Sequence, residues 1–346
     1  MNVLLITAHS IASYDDLRML TDLGYDVFNL DAYIDPAHPH VDLRPPLPEA
    51  PRHPELMAAV DALGTKDNLT AAKERLPDAL IEWADVAIYH HYLPQWMEPN
   101  FARLKAAGVR VIWRTCGQSD FTLEDRMAWH RAKGLEVVRY SPAEQRFFAG
   151  TGHWAGQDAL IRFGKYISDF PVWTGAPADT LPYVANVTQD MAGRGEHCGL
   201  TFYVRATAGL QAQPAGPRSE QLPGGIGALD YPSMLRYLAS AGAYLYTGTV
   251  PASYTLGLIE AMLVGVPVVS IGPEAWMGPD RLFEGAELAG LDMATDDPAL
   301  ARAMLSRLLQ DPIAAIGASA QQRSWAQALF DVRVVGAQWR DLLGAP

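Results

Sequence analysis

Residues 250–269 hold the strongest chemical pattern of the chain, with the sequence VPASYTLGLIEAMLVGVPVV. A short polar loop leads into a predicted helix that carries one acid, Glu260, and a glycine ends this helix before a buried strand. The first N–H groups of a helix lack partners within it, and its dipole makes this end positive, so Ser253, Tyr254 and Thr255 suit a diphosphate. Glu260 lies about 9 Å further along the helix axis at about 1.5 Å per residue. If the diphosphate belongs to a nucleotide, this distance places Glu260 within reach of a hydroxyl of the nucleotide's sugar.

This segment resembles the donor-binding signature of GT-B glycosyltransferases, above all the large retaining family that includes sucrose and glycogen synthases. The match covers Glu260–Met262 and Gly265–Val269, and the resemblance implies that Glu260 binds the nucleotide ribose. The family has an earlier acid near the donor sugar, where this chain has Ala252, so the resemblance leaves retention or inversion of stereochemistry open. The alternative is a buried amphipathic helix that feeds a core strand, with Glu260 as a surface charge.

The same resemblance implies basic side chains against the donor diphosphate. The family places an arginine and a lysine there, in the second domain, where they offset the charge of the leaving group. Arg205 fits the arginine by position because it is predicted to end a strand over Gly199–Val204. Arg218, in a Gly/Pro-rich loop, could replace or assist it, and no matching lysine lies nearby. A salt-bridged surface arginine is the alternative for both.

Three histidines follow predicted strands of the N-terminal half, where parallel α/β sheets bind ligands. His9 follows the first strand, and in inverting GT-B enzymes a histidine at this place is the general base on the acceptor hydroxyl. His90 and His91 follow the strand Val86–Tyr89, where many retaining GT-B enzymes have a histidine that contacts the donor sugar. Adjacent residues of a strand point in opposite directions, so at most one of the two faces the ligand. The alternatives are a helix-capping His9 and a structural histidine after the later strand.

Arg114 and Gln118 lie where the buried strand Val109–Thr115 ends in a polar loop, and they could bind hydroxyls of the acceptor or the sugar. No two aspartates stand two residues apart, so the sequence lacks the Asp-x-Asp motif with which glycosyltransferases of the other major fold hold a divalent ion. We therefore expect no metal, and no cofactor besides the nucleotide-sugar donor.

The composition is that of a globular protein without a bias toward nucleic acid. The chain has 346 residues, 49% of them hydrophobic and 19% charged, and its formal net charge of −12 argues against a surface built mainly for nucleic acid. No run of about 18 apolar residues occurs, so no membrane span is expected. Only Cys116 and Cys198 occur, and no basic leader precedes the first strand, so we expect a reducing, cytoplasmic location.

Strand and helix patterns alternate along the chain, which predicts an α/β protein with parallel sheets. The first strand is predicted over Asn2–Thr7, and Ser13 is predicted to cap the helix that follows it. With the resemblance, the expected architecture is GT-B, with two Rossmann-like parallel-sheet domains that face a cleft. We expect an acceptor-side domain over 1–170, a nucleotide-sugar domain over 171–325, an interdomain crossing within 166–190, and a C-terminal segment, 326–346. Its final helix, Trp325–Leu343, would return to the first domain.

These features together predict a glycosyltransferase that moves a sugar from a nucleotide-diphosphate sugar, with UDP as the expected nucleotide, to a hydroxyl acceptor. The acceptor would be a glycan or a small molecule, or else a hydroxymethylated DNA base such as hydroxymethylcytosine, because viral DNA glycosyltransferases share this fold. The sequence Tyr254–Leu256, where most relatives have Phe-Gly-Leu, looks like that of divergent viral members. A nucleotide-sugar 2-epimerase and a non-catalytic nucleotide-sugar binder are the alternatives outside this class.

Overall fold

The computed structural model describes residues 1–7, 9–30, 44–45, 47, 53–90, 94–117, 119–177, 179–250, 252–272 and 293–346. The chain forms two compact units. The N-terminal unit comprises Met1–Lys165 together with Val332–Pro346, and the C-terminal unit comprises Tyr166–Asp331. The sequence prediction placed these boundaries at residues 170 and 325. Each unit contains one parallel β-sheet with helices, as the predicted α/β class requires.

The sheet of the N-terminal unit has the strand order β2-β1-β3-β4-β5-β6, and its strands all pair in parallel. Strand β2 lies on one side of β1, and β3 to β6 follow on the other side. The direction in which the chain adds strands to the sheet therefore reverses at β1, between β1 and β3. Open α/β sheets bind ligands at this kind of switch point, beyond the carboxyl ends of the strands. The strands are β1 Asn2–Ile6, β2 Asp26–Asn29, β3 Val86–His90, β4 Arg110–Arg114, β5 Leu135–Arg139 and β6 Ala159–Leu160.

Helices connect these strands, and the sheet is buried on both faces. Alternate residues of β1 point to opposite sides, so that Leu4 and Ile6 join one hydrophobic cluster and Val3 and Leu5 join another. The helices up to β6 are α1 Ser10–Asp22, α2 Pro54–Asp61, α3 Asn68–Glu74, α4 Asp78–Trp83, α5 Pro94–Ala106, α6 Phe121–Arg131 and α7 Pro142–Phe148.

The C-terminal unit repeats the topology of the first. Its strand order is β11-β10-β9-β7-β8, with parallel pairing throughout, so the strand order reverses between β7 and β9. The strands are β7 Val184–Asn186, β8 Ala212–Pro214, β9 Ala243–Tyr246, β10 Val268–Ile271 and β11 Ala294–Thr295. The helices are α8 Met191–Arg194, α9 Leu200–Ala206, α10 Tyr231–Ser240, α11 Leu256–Val264, α12 Pro298–Gln310 and α13 Pro312–Phe330.

The last helix, α14 Val332–Leu343, belongs to the N-terminal unit. Trp339 on this helix is fully buried in the cluster that also holds Val3 and Leu5. The prediction of one continuous helix over Trp325–Leu343 is wrong, because Asp331 has a non-helical ψ of 130° and separates α13 from α14. A single extended residue at this point lets the chain leave one unit and enter the other.

Two further sequence predictions are wrong. Helix α1 begins at Ser10 with His9 as its cap, whereas the hydroxyl of Ser13 is buried and accepts a hydrogen bond from Asn29 Nδ2 at 2.7 Å. The segment Gly199–Val204, predicted as a strand, lies mostly within α9. The first strand of the C-terminal unit is instead β7, inside the segment predicted as the interdomain crossing, and its three residues are too few to show a period.

We predict that Trp339→Ala lowers the free energy of unfolding of the N-terminal unit by about 3 to 5 kcal/mol, because it leaves a cavity in a close-packed core. Trp129→Ala is the matched control, since the Trp129 side chain is 57% exposed and its loss is expected to cost less than about 0.5 kcal/mol. Urea unfolding followed by circular dichroism measures both, and equal losses would contradict the placement of α14.

Candidate functional site

The turn from β9 into α11 has the features that an anion site requires. Thr255 is the N-cap residue of α11, yet its side chain makes no cap hydrogen bond, and no acid occupies the first turn. Neither the Thr255 side chain nor an acid of the first turn therefore satisfies the N–H groups at this helix start or offsets the positive end of the helix dipole. Ser253 and Tyr254 are buried, and the Tyr254 ring packs against Phe330 at 5.5 Å, which fixes the turn.

Glu260 is buried on α11, with 3% of its surface exposed, so the alternative that it is a surface charge is wrong. The pKa of Tyr244 of β9 is raised, chiefly by burial, and the charge of Glu260 adds to this rise. The Glu260 carboxylate therefore lies near the Tyr244 hydroxyl. Gly265 ends the helix in the left-handed region at φ 96°, as the sequence pattern predicts. A buried carboxylate in this position can accept hydrogen bonds from vicinal hydroxyls of a ligand.

The loop after β7 is fastened to the same edge of the sheet. Asn186 Nδ2 donates to Leu245 O at 2.8 Å, and Asn186 Oδ1 accepts from Thr188 N at 2.7 Å. Gly257, in the first turn of α11, approaches this loop so closely that a Cβ would stand 2.9 Å from Val187 Cγ2. The start of α11 is thus positioned at the β7–β9 switch point, where a nucleotide is expected to bind.

Arg218 lies at this edge as well. It follows β8 and makes a two-point ion pair with Asp190, which follows β7; the Nε–Oδ1 distance is 2.7 Å. These two are the non-glycine residues with positive φ in the described ranges, at 60° for Arg218 and 55° for Asp190. Such strained conformations cost about 1 to 3 kcal/mol each and cluster at functional sites. The Arg218 side chain is 53% exposed, so it remains accessible to a ligand.

Arg205 lies elsewhere. It is an exposed residue in the last turn of α9, a helix that follows β7 and precedes β8. In a parallel sheet such a helix runs back toward the amino ends of the strands, so Arg205 lies away from the edge where ligands bind. The positional reason for expecting it at the diphosphate is therefore wrong.

In the N-terminal unit, His90 and Arg114 meet Asp16 in a fully buried cluster. His90 Nε2 lies 3.2 Å and Arg114 Nε lies 2.9 Å from Asp16 Oδ2. Burial acts to raise the pKa of Asp16, but the charge of Arg114 and the contact with His90 hold this pKa below its ordinary value. The Arg114 guanidinium also donates to the carbonyls of Ile161 and Arg162, both at 2.9 Å. The structure thus commits Arg114 to internal contacts, and its predicted binding of ligand hydroxyls stays a prediction.

His9 caps α1, as the simpler of the two sequence readings expects. Its Nδ1 accepts a hydrogen bond from Ala12 N at 3.3 Å, so we assign the proton of the neutral ring to Nε2. Burial, with repulsion from His90, lowers the pKa of His9 to about 4. At neutral pH this ring can donate a hydrogen bond from Nε2, and it is a weak proton acceptor. The cap geometry and the lowered pKa of His9 together favour orienting a ligand hydroxyl over removing its proton.

Glu144, at the start of α7, is a buried acid that the sequence analysis did not select. It follows β5, and its Oε2 accepts a hydrogen bond from Thr115 Oγ1 at 2.6 Å. Among the described residues its other oxygen, Oε1, has no hydrogen-bond partner; this oxygen lies 3.9 Å from Arg139 Nη1. Burial chiefly raises the pKa of Glu144 to about 7. In the sequence this residue looks like an ordinary first-turn helix acid, and only the fold reveals its burial.

Two predicted site residues, His91 and Gln118, lie outside the described residues. Within the described ranges, no group of three or more His, Cys, Asp and Glu side chains is placed to hold a metal ion. None of the described helices has the length and apolar character needed to cross a membrane.

No protein-family model and no curated protein matches the sequence. Among solved structures, sucrose-phosphate synthase from Thermosynechococcus elongatus is similar at 17% identity and a TM-score of 0.69, over 100% of both chains. Anabaena HepE in complex with UDP-glucose is similar at 14% identity and a TM-score of 0.65, also over 100% of both chains. The chain has the GT-B fold. An α-glucosyltransferase in complex with UDP and DNA containing an HMU base is similar at 10% identity and a TM-score of 0.62, over 99% of both chains.

We predict that Glu144→Gln stabilises the protein at pH 8 relative to the wild type, by at most about 3 kcal/mol, and has little effect at pH 4. The raised pKa of Glu144 means that the folded state favours its neutral form. The contribution of the neutral Glu144 side chain to the free energy of unfolding is therefore complete below pH 4.5, the ordinary pKa of this carboxyl. It is lost as the pH rises toward about 7. Urea unfolding at both pH values checks this, and a Gln variant that is less stable at pH 8 would contradict the burial of a proton here.

Proposed function

We propose that the protein is a metal-independent GT-B hexosyltransferase that moves a sugar from a UDP-sugar to a hydroxyl acceptor. One observation carries the proposal: the uncapped start of α11 and the buried Glu260 lie on one short helix at the β7–β9 switch point. Structural neighbours support the choice of nucleotide, because HepE was solved with UDP and with UDP-glucose.

In the proposed complex, backbone N–H groups of Ser253, Tyr254 and Thr255 contact the diphosphate at the helix start. The buried carboxylate of Glu260 accepts hydrogen bonds from the ribose hydroxyls. Arg218 offsets the phosphate charge that develops as the sugar–phosphate bond breaks, which requires that its guanidinium turn from Asp190 toward the ligand. Helix end and arginine together take the place that a divalent ion has in metal-dependent transferases.

The N-terminal unit would bind the acceptor near the ends of β1 and β3. His9 would orient the acceptor hydroxyl from Nε2, and His90, held by Asp16, would stiffen this edge of the sheet. We propose a glycan or small-molecule acceptor in a reducing, cytoplasmic setting. A hydroxymethylated DNA base is the second candidate, because one structural neighbour was solved with DNA that contains an HMU base. The net charge of −12 weighs against that candidate.

Incubation with UDP-glucose alone separates transfer from the two other classes. Slow release of UDP and free sugar supports a transferase, because water replaces the acceptor. A 2-epimerised sugar would indicate the epimerase, and tight binding without turnover would indicate a non-catalytic binder.

We predict that Glu260→Ala weakens UDP binding by about 1 to 3 kcal/mol, because it removes the acceptor of the ribose hydrogen bonds. Isothermal titration calorimetry measures the change, and a thermal melt confirms that the variant is folded. Glu260→Gln preserves the shape of the side chain and is expected to lose less. Asp179→Ala, which removes an exposed acid of the same unit, is the control. Unchanged UDP affinity in folded Glu260→Ala would remove the proposed role.

We predict that Arg218→Ala lowers the rate of UDP release from UDP-glucose by about a hundredfold, because it removes a positive charge beside the leaving group. Arg205→Ala serves as the matched control, since it removes an exposed arginine of the same unit from the amino-end side of the sheet. The rate of UDP release by Arg205→Ala should stay within a factor of about two of the wild-type rate. A large loss in Arg205→Ala with none in Arg218→Ala would reverse the assignment.

A further inference from the structure

The N-terminal unit exposes a stack of aromatic rings where α6 begins and α7 ends. The Phe121 and Phe147 rings are nearly parallel, with centroids 6.0 Å apart, and the His153 ring stacks on Phe121 at 4.9 Å. The two phenylalanines are 44% and 50% exposed. The parts of these rings that remain exposed offer an apolar, aromatic surface to a ring-shaped ligand.

The same side of α6 leads from this stack into an open pocket. Phe121, Asp125, Ala128 and Ala132 follow one another at intervals of three or four residues, so they share one face of the helix. Ala128, Arg131 and Ala132 line a pocket of about 630 Å³. Its other lining residues are Gln145 of α7 and Trp154, Ala155, Gly156 and Gln157 of the loop before β6. Stack and pocket form one surface, here called the α6–α7 face.

The loop wall of this pocket is held rigidly by charged side chains. Arg139 pairs with Glu124 through two contacts of 2.6 and 2.7 Å, and its guanidinium lies over the Trp154 ring at 4.0 Å. Arg139 Nε also donates to Gly156 O at 3.0 Å. Gly156 has φ 90°, a backbone conformation that residues with a side chain rarely adopt. A wall fixed in advance loses little conformational freedom when a ligand binds.

The polar groups of the face indicate what class of ligand fits. Gln157 Oε1, at the pocket, is buried without a hydrogen-bond partner among the described residues. The charges are paired: Arg131 contacts Asp158 at 2.8 Å, and His153 Nδ1 contacts Asp125 at 2.9 Å. A surface with aromatic faces, amide groups and neutralised charges suits a molecule rich in hydroxyls, whereas a polyanion such as DNA requires free cations.

We infer that the α6–α7 face binds a neutral oligosaccharide. Its sugar rings pack against the exposed parts of the Phe121 and Phe147 rings. Its hydroxyls bond to the amide of Gln145 in the pocket and to that of Gln157 once this side chain turns outward. The face is about 16 Å long, from the eleven residues of α6 at about 1.5 Å each, so it suits a chain of sugars better than a single one. Phe121 directly follows the loop after β4, at the carboxyl ends of the strands, so a bound chain would point one end toward the proposed acceptor site. The binding of an oligosaccharide to this face stands without the proposed function. Only the idea that this oligosaccharide is the acceptor of the transfer rests on the proposed function.

The test is a printed glycan array probed with the full-length protein, without UDP or a sugar donor. We expect binding to neutral oligosaccharides, and about a tenfold loss of affinity in Phe121→Ala and in Phe147→Ala, since each removes a stacking partner worth about 1.4 kcal/mol. Trp129→Ala is the control: it removes an exposed ring from α6 outside the stripe, and it should bind like the wild type.

The inference is overturned if no neutral glycan binds, if both Phe variants bind like the wild type, or if a duplex or single-stranded DNA oligonucleotide binds and the glycans do not. UDP affinity, measured separately by calorimetry, keeps the two proposals apart. Glycan binding without UDP binding would refute only the proposed function. UDP binding without glycan binding would refute only the proposed glycan site on the α6–α7 face.

Discussion

Parallel pairing is the constraint on which both candidate sites depend. Within the described residues every strand pair of both sheets is parallel, so each connection between strands must return the chain to the same starting edge. The loops that follow the strands therefore gather at the opposite, carboxyl edge. In each unit the second and third strands lie on opposite sides of the first, which opens a switch point beside β1 and beside β7. His9, His90, Glu144, Asp190, Arg218 and the start of α11 all belong to these edges.

The sequence predicts well those features that depend on local residue order. The strands β1, β3 and β4 coincide with short, mostly apolar runs, and the segment 256–269 has its helix, its glycine stop and its strand in one continuous stretch. It predicts poorly where tertiary contacts decide. Strand β7 has three residues and forms because β8 and β9 pair with it on both sides. Helix α9 buries Phe202, Tyr203 and Ala206 on one side, a pattern too short to distinguish from a strand.

The chemistry of individual side chains depends on partners that are remote in the sequence. Arg114 and His90 both appear available until the fold brings them to Asp16 of α1. Arg218 gains its significance from Asp190 and from the positive φ of both residues, and neither fact is visible in residue types. From the sequence, His9 could be either a general base or a helix cap. The hydrogen bond from the Ala12 N–H group to its Nδ1 shows that it caps α1. Glu260 is the exception, because its spacing from the start of α11 is fixed by the helix itself.

The central claim is that the turn into α11 binds a diphosphate. A crystal structure of the protein grown with UDP tests it most directly. The account predicts phosphate oxygens within hydrogen-bond distance of the backbone N–H groups at residues 253–255, with the ribose hydroxyls on the Glu260 carboxylate. UDP bound elsewhere, with this turn packed closed against its own unit, would contradict the account.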